Sequence, residues 1–139
     1  MASPRIARVL ALDDHPLQLE IVCAVLSKVF GTAEVRAFGS LDEALRDCAE
    51  AGAPDLMVLD LGLPDCSGIE ALTRFREACP QTAVVVYSAS EDGVIVRAAL
   101  NAGAMGYIPK RTAKELMQAA LRLVADGGVY VPPAWQMGV

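Results

Sequence analysis

Residues 57–65 read MVLDLGLPD, and this stretch decides the fold prediction. The apolar run at 56–59 ends in the carboxylate of Asp60, and the Leu-Gly-Leu-Pro-Asp that follows is typical of a turn. An apolar run this short and this rich in aliphatic residues predicts a buried strand. Burying an unpaired charge is costly, and no Lys or Arg lies near Asp60 in the sequence. Asp60 is therefore expected to emerge into a crevice and to meet a partner there.

Strand and helix patterns alternate on both sides of this stretch. Apolar strands are predicted at 5–12, 32–37, 55–60, 82–88 and 104–108. Helices are predicted at 17–30, 41–51, 69–79, 90–101 and 114–125. Alternating apolar strands and helices predict a single doubly wound (βα)5 domain of the α/β class, whose central parallel sheet is covered on both faces.

Helix starts are predicted from proline and from capping residues. Pro16 opens the first helix, and Ser90, with acids in the turn after it, opens the fourth. The pattern Ser/Thr-x-x-Glu is a capping box, in which a hydroxyl and a carboxylate each bond a free backbone N–H. Three such boxes are predicted at Ser40–Glu43, Ser67–Glu70 and Thr112–Glu115.

Composition narrows the class of protein. The chain has 139 residues, 54% of them hydrophobic and 21% charged, which fits one compact domain. The net charge of −5 and a pI near 4.8 argue against nucleic-acid binding by this segment. No apolar run reaches the roughly 20 residues that a membrane span needs. Four cysteines without metal-ligand spacing favour a reducing, cytoplasmic setting.

Polar side chains follow four of the predicted strands. In open parallel sheets, ligands bind beyond the carboxyl ends of the strands. Asp13, Asp14, Asp60, Ser88 and Lys110 all come from that edge. Three acids packed together repel one another, and Mg²⁺, which prefers oxygen ligands, would relieve this. The lysine and the serine could then meet a phosphoryl group, so the set predicts a site for phosphoryl transfer to an aspartate. His15 is interpreted as a loop residue.

Four stretches carry a family resemblance: ALDDH (11–15), MVLDLGLPDCSGIEAL (57–72), VVVYSAS (84–90) and AMGYIPK (104–110). Together they resemble the receiver domain of response regulators in bacterial two-component signalling, over the chain to about residue 131. The resemblance implies a flavodoxin-like sheet of strand order 2-1-3-4-5. It also implies a phosphorylation-controlled switch, not an enzyme, that takes its phosphoryl group from a sensor histidine kinase and removes it by self-dephosphorylation.

The resemblance also assigns roles at single positions. It implies that Asp60 is the phosphoacceptor, that Asp14 binds Mg²⁺ directly and that Asp13 acts largely through water. Gly62 would offer its backbone carbonyl to the metal. The remaining roles are a hydroxyl switch at Ser88, an aromatic switch at Tyr107 and phosphate pairing by Lys110. Asp65 is interpreted separately as helping the turn before the third helix.

The opening DDHP, the stretch GYIPK and the ending GGVYVPP resemble receivers of LuxR-type (NarL/FixJ) transcription regulators. There a helix-turn-helix DNA-binding domain normally follows, and activation can produce a homodimer. Here only AWQMGV follows Pro132-Pro133. We expect a receiver domain at 1–131 and the start of a linker or tail at 132–139, and an excised receiver is favoured over a stand-alone one. One departure is that Pro109 precedes Lys110, where many receivers have Lys-Pro.

Two other classes of protein put an acid at a strand end. A haloacid-dehalogenase-type phosphatase would need a second acid two residues after its nucleophile, and Gly62 stands there. A nucleotide or flavin module would need a glycine-rich phosphate loop after the first strand. That loop reads DDHPL, which is acidic where a phosphate would have to lie.

Overall fold

The structure, a computed structural model, describes residues 6–133. Five strands alternate with five helices along the chain. The strands are β1 (Arg8–Leu12), β2 (Glu34–Phe38), β3 (Leu56–Leu59), β4 (Ala83–Ser88) and β5 (Gly106–Pro109). The helices are α1 (Pro16–Val29), α2 (Leu41–Ala51), α3 (Ile69–Ala78), α4 (Gly93–Asn101) and α5 (Lys114–Ala125).

All five strands pair in parallel in the order β2-β1-β3-β4-β5, so the predicted fold class and strand order are confirmed. Each sheet face buries its own apolar layer. One layer packs under α2, α3 and α4 and includes Leu72, Phe75 and Val96, and the other packs under α1 and α5 and includes Leu26 and Leu121. With helices on both faces, the central strand β3 carries only apolar residues, and the other two interior strands carry a polar residue at one end, Arg8 in β1 and Ser88 in β4.

The hydroxyl half of the first capping box is confirmed, whereas the Glu43 carboxylate accepts the Ser40 hydroxyl and not its backbone N–H, and the second box is wrong. Ser40 accepts the backbone N–H of Glu43 and begins α2 as predicted. Ser67 instead forms an antiparallel bridge with Gly62, and the N-cap of α3 is the next residue, Gly68. Gly68 has φ 70°, a backbone conformation that glycine adopts without strain, so the sharp turn and not a hydroxyl sets the start of this helix.

The starts of α4 and α5 also differ from the prediction. Ser90 accepts the N–H of Asp92 in a turn, and Asp92 then caps α4 by accepting the N–H of Val94. The N-cap of α5 is Ala113, which has no side-chain acceptor, because Thr112 is taken up in a turn onto the carbonyl of Pro109. In both cases a tight turn places the capping position later than the hydroxyl.

The bounds of the first and the last strand in the chain differ from the predicted ones. β1 was predicted to begin at position 5, which lies outside the described residues, and in the structure it begins at Arg8. The residue before it, Ala7, donates its N–H to the carboxylate of Asp55. β5 runs from 106 to 109 and so includes Pro109.

The chain returns to the sheet after α5. Tyr130 donates its N–H to the carbonyl of Met105 and accepts the N–H of Tyr107, which covers the open edge of β5. The predicted boundary after Val131 stays a prediction, and most of the predicted tail, 134–139, lies outside the described residues. None of the helices within residues 6–133 combines the length and the apolar character needed to cross a bilayer.

Candidate phosphoacceptor and metal site

Backbone hydrogen bonds continue just past the strand ends and gather the polar residues. The N–H of Asp60 donates to the carbonyl of Leu12 at 2.8 Å, which seats Asp60 beside Asp13. The N–H of Lys110 donates to the carbonyl of Ser88 at 2.8 Å. Strand register thus sets the positions of these four polar residues. As predicted, they lie together at the carboxyl ends of the strands.

The acids form one cluster. Asp13 and Asp60 are 3% and 6% exposed, whereas the side chain of Asp14 is about one third exposed. One ligand atom from each of these carboxylates and one from His15 all lie within 4.8 Å of one another. Three carboxylates face a single lysine here, so the cluster carries an excess of negative charge. Carboxylate oxygens in this number fit a hard dication such as Mg²⁺.

Lys110 pairs with both buried acids. Its Nζ lies 3.0 Å from Asp13 Oδ2 and 3.4 Å from Asp60 Oδ1. Burial alone would lower the pKa of Lys110, but the hydrogen bond to Asp13 and the charge of Asp60 outweigh it and raise that pKa. The ammonium therefore stays charged, and an incoming anion would meet a fixed cation.

Asp60 is held in a destabilised ionised form. Burial raises its pKa, and the charge of Asp13 raises it further, while Lys110 and the backbone N–H of Gly62 oppose the shift only in part. A carboxylate that is poorly solvated and close to another acid is a stronger nucleophile than one in water. Asp60 has the chemistry of an acceptor whose charge needs a cation to be tolerated.

Gly62 leaves one side of Asp60 open. A Cβ at this position would lie 3.4 Å from Asp60 Oδ2, at the tight end of ordinary contact. The residue is exposed on the β3–α3 loop, and its backbone N–H acts to lower the pKa of the Asp60 carboxyl. The small residue therefore keeps a path from solvent to the candidate acceptor oxygen. The predicted role of its carbonyl as a metal ligand stays a prediction.

Ser88 and Tyr107 meet at one backbone unit. Ser88 is buried, and its hydroxyl accepts the N–H of Ser90 at 3.2 Å. Tyr107 is fully buried against α4, and its hydroxyl donates to the carbonyl of Ser90 at 2.7 Å. The two predicted switch residues thus bond the same residue, Ser88 at the N–H of Ser90 and Tyr107 at its carbonyl. The side chain of Tyr107 has its inward, buried rotamer.

Two contributors near the site were not found from the sequence. His15, interpreted as a loop residue, lies with Nδ1 2.9 Å from Asp13 Oδ1 and 3.1 Å from Asp14 Oδ1. The hydrogen bond to Asp13 and the charge of Asp14 raise its pKa. Its position directly after two acids was the available signal. Across the loops, Arg111 pairs with Glu91 through two guanidinium nitrogens and ties the β5–α5 loop to the β4–α4 loop.

Asp65 has a different partner from the predicted one. Its carboxylate accepts the N–H groups of Leu41 and Asp42, both at 3.0 Å, so it caps α2 and not α3. Slight burial acts in the opposite direction, yet these amide donors hold the pKa of Asp65 below its ordinary value. The contact joins positions more than 20 residues apart, so no local pattern could reveal it.

Comparison with known proteins gives a consistent set of likenesses. The family model described as the response regulator receiver domain matches residues 9–122. A curated relative, the glycerol metabolism activator of Pseudomonas putida, is 35% identical over 91% of this chain. The chain spans 57% of that relative's length.

Solved structures give the same likeness in three dimensions. A LuxR family DNA-binding response regulator from Silicibacter pomeroyi is 28% identical, with a TM-score of 0.82 over 94% of this chain and 100% of that one. The signal receiver domain of the putative response regulator NarL from Mycobacterium tuberculosis is 31% identical, with a TM-score of 0.74 over 89% and 99%.

Proposed function

This chain belongs to the response regulator receiver domain family, and from that premise we propose that Asp60 accepts a phosphoryl group from a phosphohistidine of a sensor histidine kinase. The observation that carries the proposal is the pairing of the buried Asp60 carboxylate with a lysine, 15% exposed, at the carboxyl ends of the strands. An oxygen of Asp60 attacks phosphorus, the P–N bond of the donor breaks, and a P–O bond forms. The Lys110 ammonium pairs with the phosphoryl oxygens as their charge is redistributed.

Magnesium would be held by Asp13, Asp14 and Asp60, with Gly62 as the proposed carbonyl ligand. The fit rests on the excess of carboxylates over cations within a 4.8 Å cluster. When bound, the ion would neutralise the acids and the transferred phosphoryl group. Asp14, which is the most exposed acid of the three, is suited to bind the ion directly, and Asp13 is already engaged by Lys110 and His15.

Removing the metal is expected to stop the reaction. In Mg²⁺, acetyl phosphate should label the protein and beryllium fluoride should bind stoichiometrically. An excess of chelator should reduce labelling by about a hundredfold or more, because the buried acids would then repel the incoming dianion. Intact-mass spectrometry measures the labelling by acetyl phosphate, and calorimetry measures the binding of beryllium fluoride. Labelling that is equal with and without chelator would contradict the proposal.

The proposed output is that of a transcription regulator whose DNA-binding domain lies beyond this chain. Support comes from a solved structure described as that of a LuxR family DNA-binding response regulator, and from a curated activator of whose length this chain spans 57%. The region at 1–131 would then be the receiver and 132 onward the start of a linker. Such a protein would act in the cytoplasm and could form a homodimer when phosphorylated.

Helix α1 offers a surface for the kinase. Leu17 is 73% exposed and Ile21 47%, and they lie one turn apart on the same side of α1, next to the site. Large exposed apolar side chains at neighbouring positions mark contact surfaces. A kinase that docks on these residues would bring its phosphohistidine to Asp60 at the carboxyl ends of the strands.

We infer that Ser88 and Tyr107 transmit the state of Asp60 to α4 and β5. A phosphoryl group offers new acceptors to the Ser88 hydroxyl, which would then pull on Ser90, and Ser90 is held in turn by Tyr107. The inward tyrosine packs against α4, so its rotamer and the position of that helix are linked. Slow self-dephosphorylation would use the space that Gly62 and Ser90 leave for water.

Tyr107→Phe tests this coupling. The change removes the hydrogen bond to Ser90, worth about 1 kcal/mol, and should shift the balance between the two forms by about fivefold. Chemical shift changes of α4 amides on adding beryllium fluoride should therefore be smaller than in the parent at equal occupancy of Asp60. Tyr130→Phe is the matched control, since within the described residues the buried hydroxyl of Tyr130 has no hydrogen-bond partner. Equal responses in both variants and the parent would exclude this route.

A further inference from the structure

One nitrogen of the His15 imidazole, Nδ1, faces the acidic cluster. Although the side chain is 62% exposed, its Nδ1 lies between two carboxylates, 2.9 Å from Asp13 Oδ1 and 3.1 Å from Asp14 Oδ1. His15 is also the N-cap residue of α1, yet its side chain makes no capping bond to that helix. The ring is thus not occupied by helix capping and points to where the carboxylates converge.

The backbone keeps the ring in that place. The N–H of His15 donates to Asp13 Oδ1 at 2.9 Å, and the next residue, Pro16, fixes the chain direction into α1. A nitrogen donor held next to three oxygens resembles the mixed ligand sets of transition-metal sites more than the all-oxygen sets of Mg²⁺ sites. Neighbouring ligands at right angles on an ion with bonds of about 2.1 Å lie about 3.0 Å apart. The observed N···O separations match that spacing as well as they match hydrogen bonds.

We propose that His15 supplies a nitrogen ligand to the divalent ion of this site and gives the site a preference for first-row transition-metal dications. The proposal rests on the proposed function, because it takes the same carboxylates as the remaining ligands. Imidazole binds Co²⁺ and its neighbours far better than it binds Mg²⁺, which dehydrates reluctantly and keeps oxygen ligands. Within one set of carboxylates, His15 thus raises the affinity for Co²⁺ selectively.

Binding of Co²⁺ and of Mg²⁺ to the unphosphorylated protein, followed by calorimetry, tests this. In His15→Asn, the ratio of Co²⁺ to Mg²⁺ affinity should fall by about tenfold. Asp14→Ala, which removes an oxygen ligand, should weaken binding of both ions. Because the chain has one histidine, the Co²⁺ complex of the parent should show a single set of strongly shifted imidazole proton signals, including an exchangeable ring N–H. That set should be missing in His15→Asn.

Three results overturn the inference. An unchanged affinity ratio in His15→Asn, or imidazole signals without contact shifts, would mean that His15 only hydrogen-bonds the acids. In those cases Asp14→Ala would still weaken both ions, and the proposed function would stand. If the parent binds neither ion and Asp14→Ala changes nothing, the metal site itself is wrong, and the proposed function fails with it.

Discussion

The Asp60→Asn variant is expected to take up no phosphoryl group from acetyl phosphate in Mg²⁺. An amide nitrogen or oxygen in place of the carboxylate is a poor nucleophile, so labelling should fall by about a hundredfold or more. The residue keeps its shape, and the loop that carries it is fixed by the bond from the Asp60 N–H to Leu12. Phosphoprotein mass measured over time, with hydroxylamine release of the acyl phosphate, gives the rate.

Asp65→Asn is the matched control, since it makes the same chemical change five residues later on the same loop. Asp65 caps α2 and lies away from the acid cluster, so its loss should cost some stability while labelling continues. Labelling of Asp60→Asn at the parental rate would show that another residue is the acceptor. Loss of labelling in Asp65→Asn, with the fold intact, would argue against Asp60 in the same way.

The Asp60→Asn variant should be more stable than the parent when no metal is present. The folded protein raises the pKa of Asp60, chiefly through burial. A carboxyl group with a raised folded-state pKa stabilises the fold at low pH, and this contribution is lost as the pH rises through that folded-state pKa. Asparagine never ionises, so it avoids the loss. The melting temperature in chelator should therefore rise in Asp60→Asn, and the difference from the parent should shrink in acid.

Local sequence patterns could predict the sheet and the positions at its edge. In a chain with this alternation, apolar runs such as 84–87 predict buried strands, and parallel pairing then places Asp13 and Asp60 at the same end of the sheet. Strand order came from the family resemblance, because nothing in the strands themselves says which of them are neighbours. The acid cluster was predictable only in part, because the strand ends place its members at one end of the sheet and the strand order makes Asp13 and Asp60 neighbours.

Features that depend on distant partners or on turns were not predictable in this way. The predicted capping box at Ser67 does not form because Gly68 is the N-cap of α3. The one at Thr112 does not form because the N–H of Thr112 bonds the carbonyl of Pro109 in a turn. Arg8 looks like a surface residue at the start of a strand, yet it is nearly buried and pairs with Asp47 of α2. A hydrogen bond or ion pair between residues about 40 positions apart has no signature in either local sequence.

The inward position of Tyr107 also needed the structure. Tyrosine fits either an exposed or a buried rotamer on an edge strand, and its apolar body and polar tip favour neither in advance. The deciding contact is with the Ser90 carbonyl, a backbone atom that any sequence would supply. The sequence thus indicates Tyr107 as the candidate switch residue, and the hydrogen bond to Ser90 determines its rotamer.

The Lys110→Met variant is expected to lose both stability and reactivity. Lys110 is the cation between Asp13 and Asp60, and its side chain is 15% exposed while theirs are 4% and 8%. Removing one partner of a buried ion pair leaves the other charges uncompensated, which costs about 3 kcal/mol. Methionine keeps most of the side-chain volume, so the loss reflects charge and not a cavity. Urea unfolding in chelator measures it, and labelling by acetyl phosphate should slow by about a hundredfold.

Magnesium separates the two effects of Lys110. A dication among the carboxylates supplies the missing positive charge, so Mg²⁺ should restore much of the stability of Lys110→Met. It should not restore the labelling rate, since pairing with the phosphoryl oxygens needs the ammonium itself. Lys114→Met, at the exposed first residue of α5, is the control and should change stability by less than about 0.5 kcal/mol. If Lys110→Met matches this control in chelator and labels normally, Lys110 is an ordinary surface lysine and the acids must be neutralised in another way.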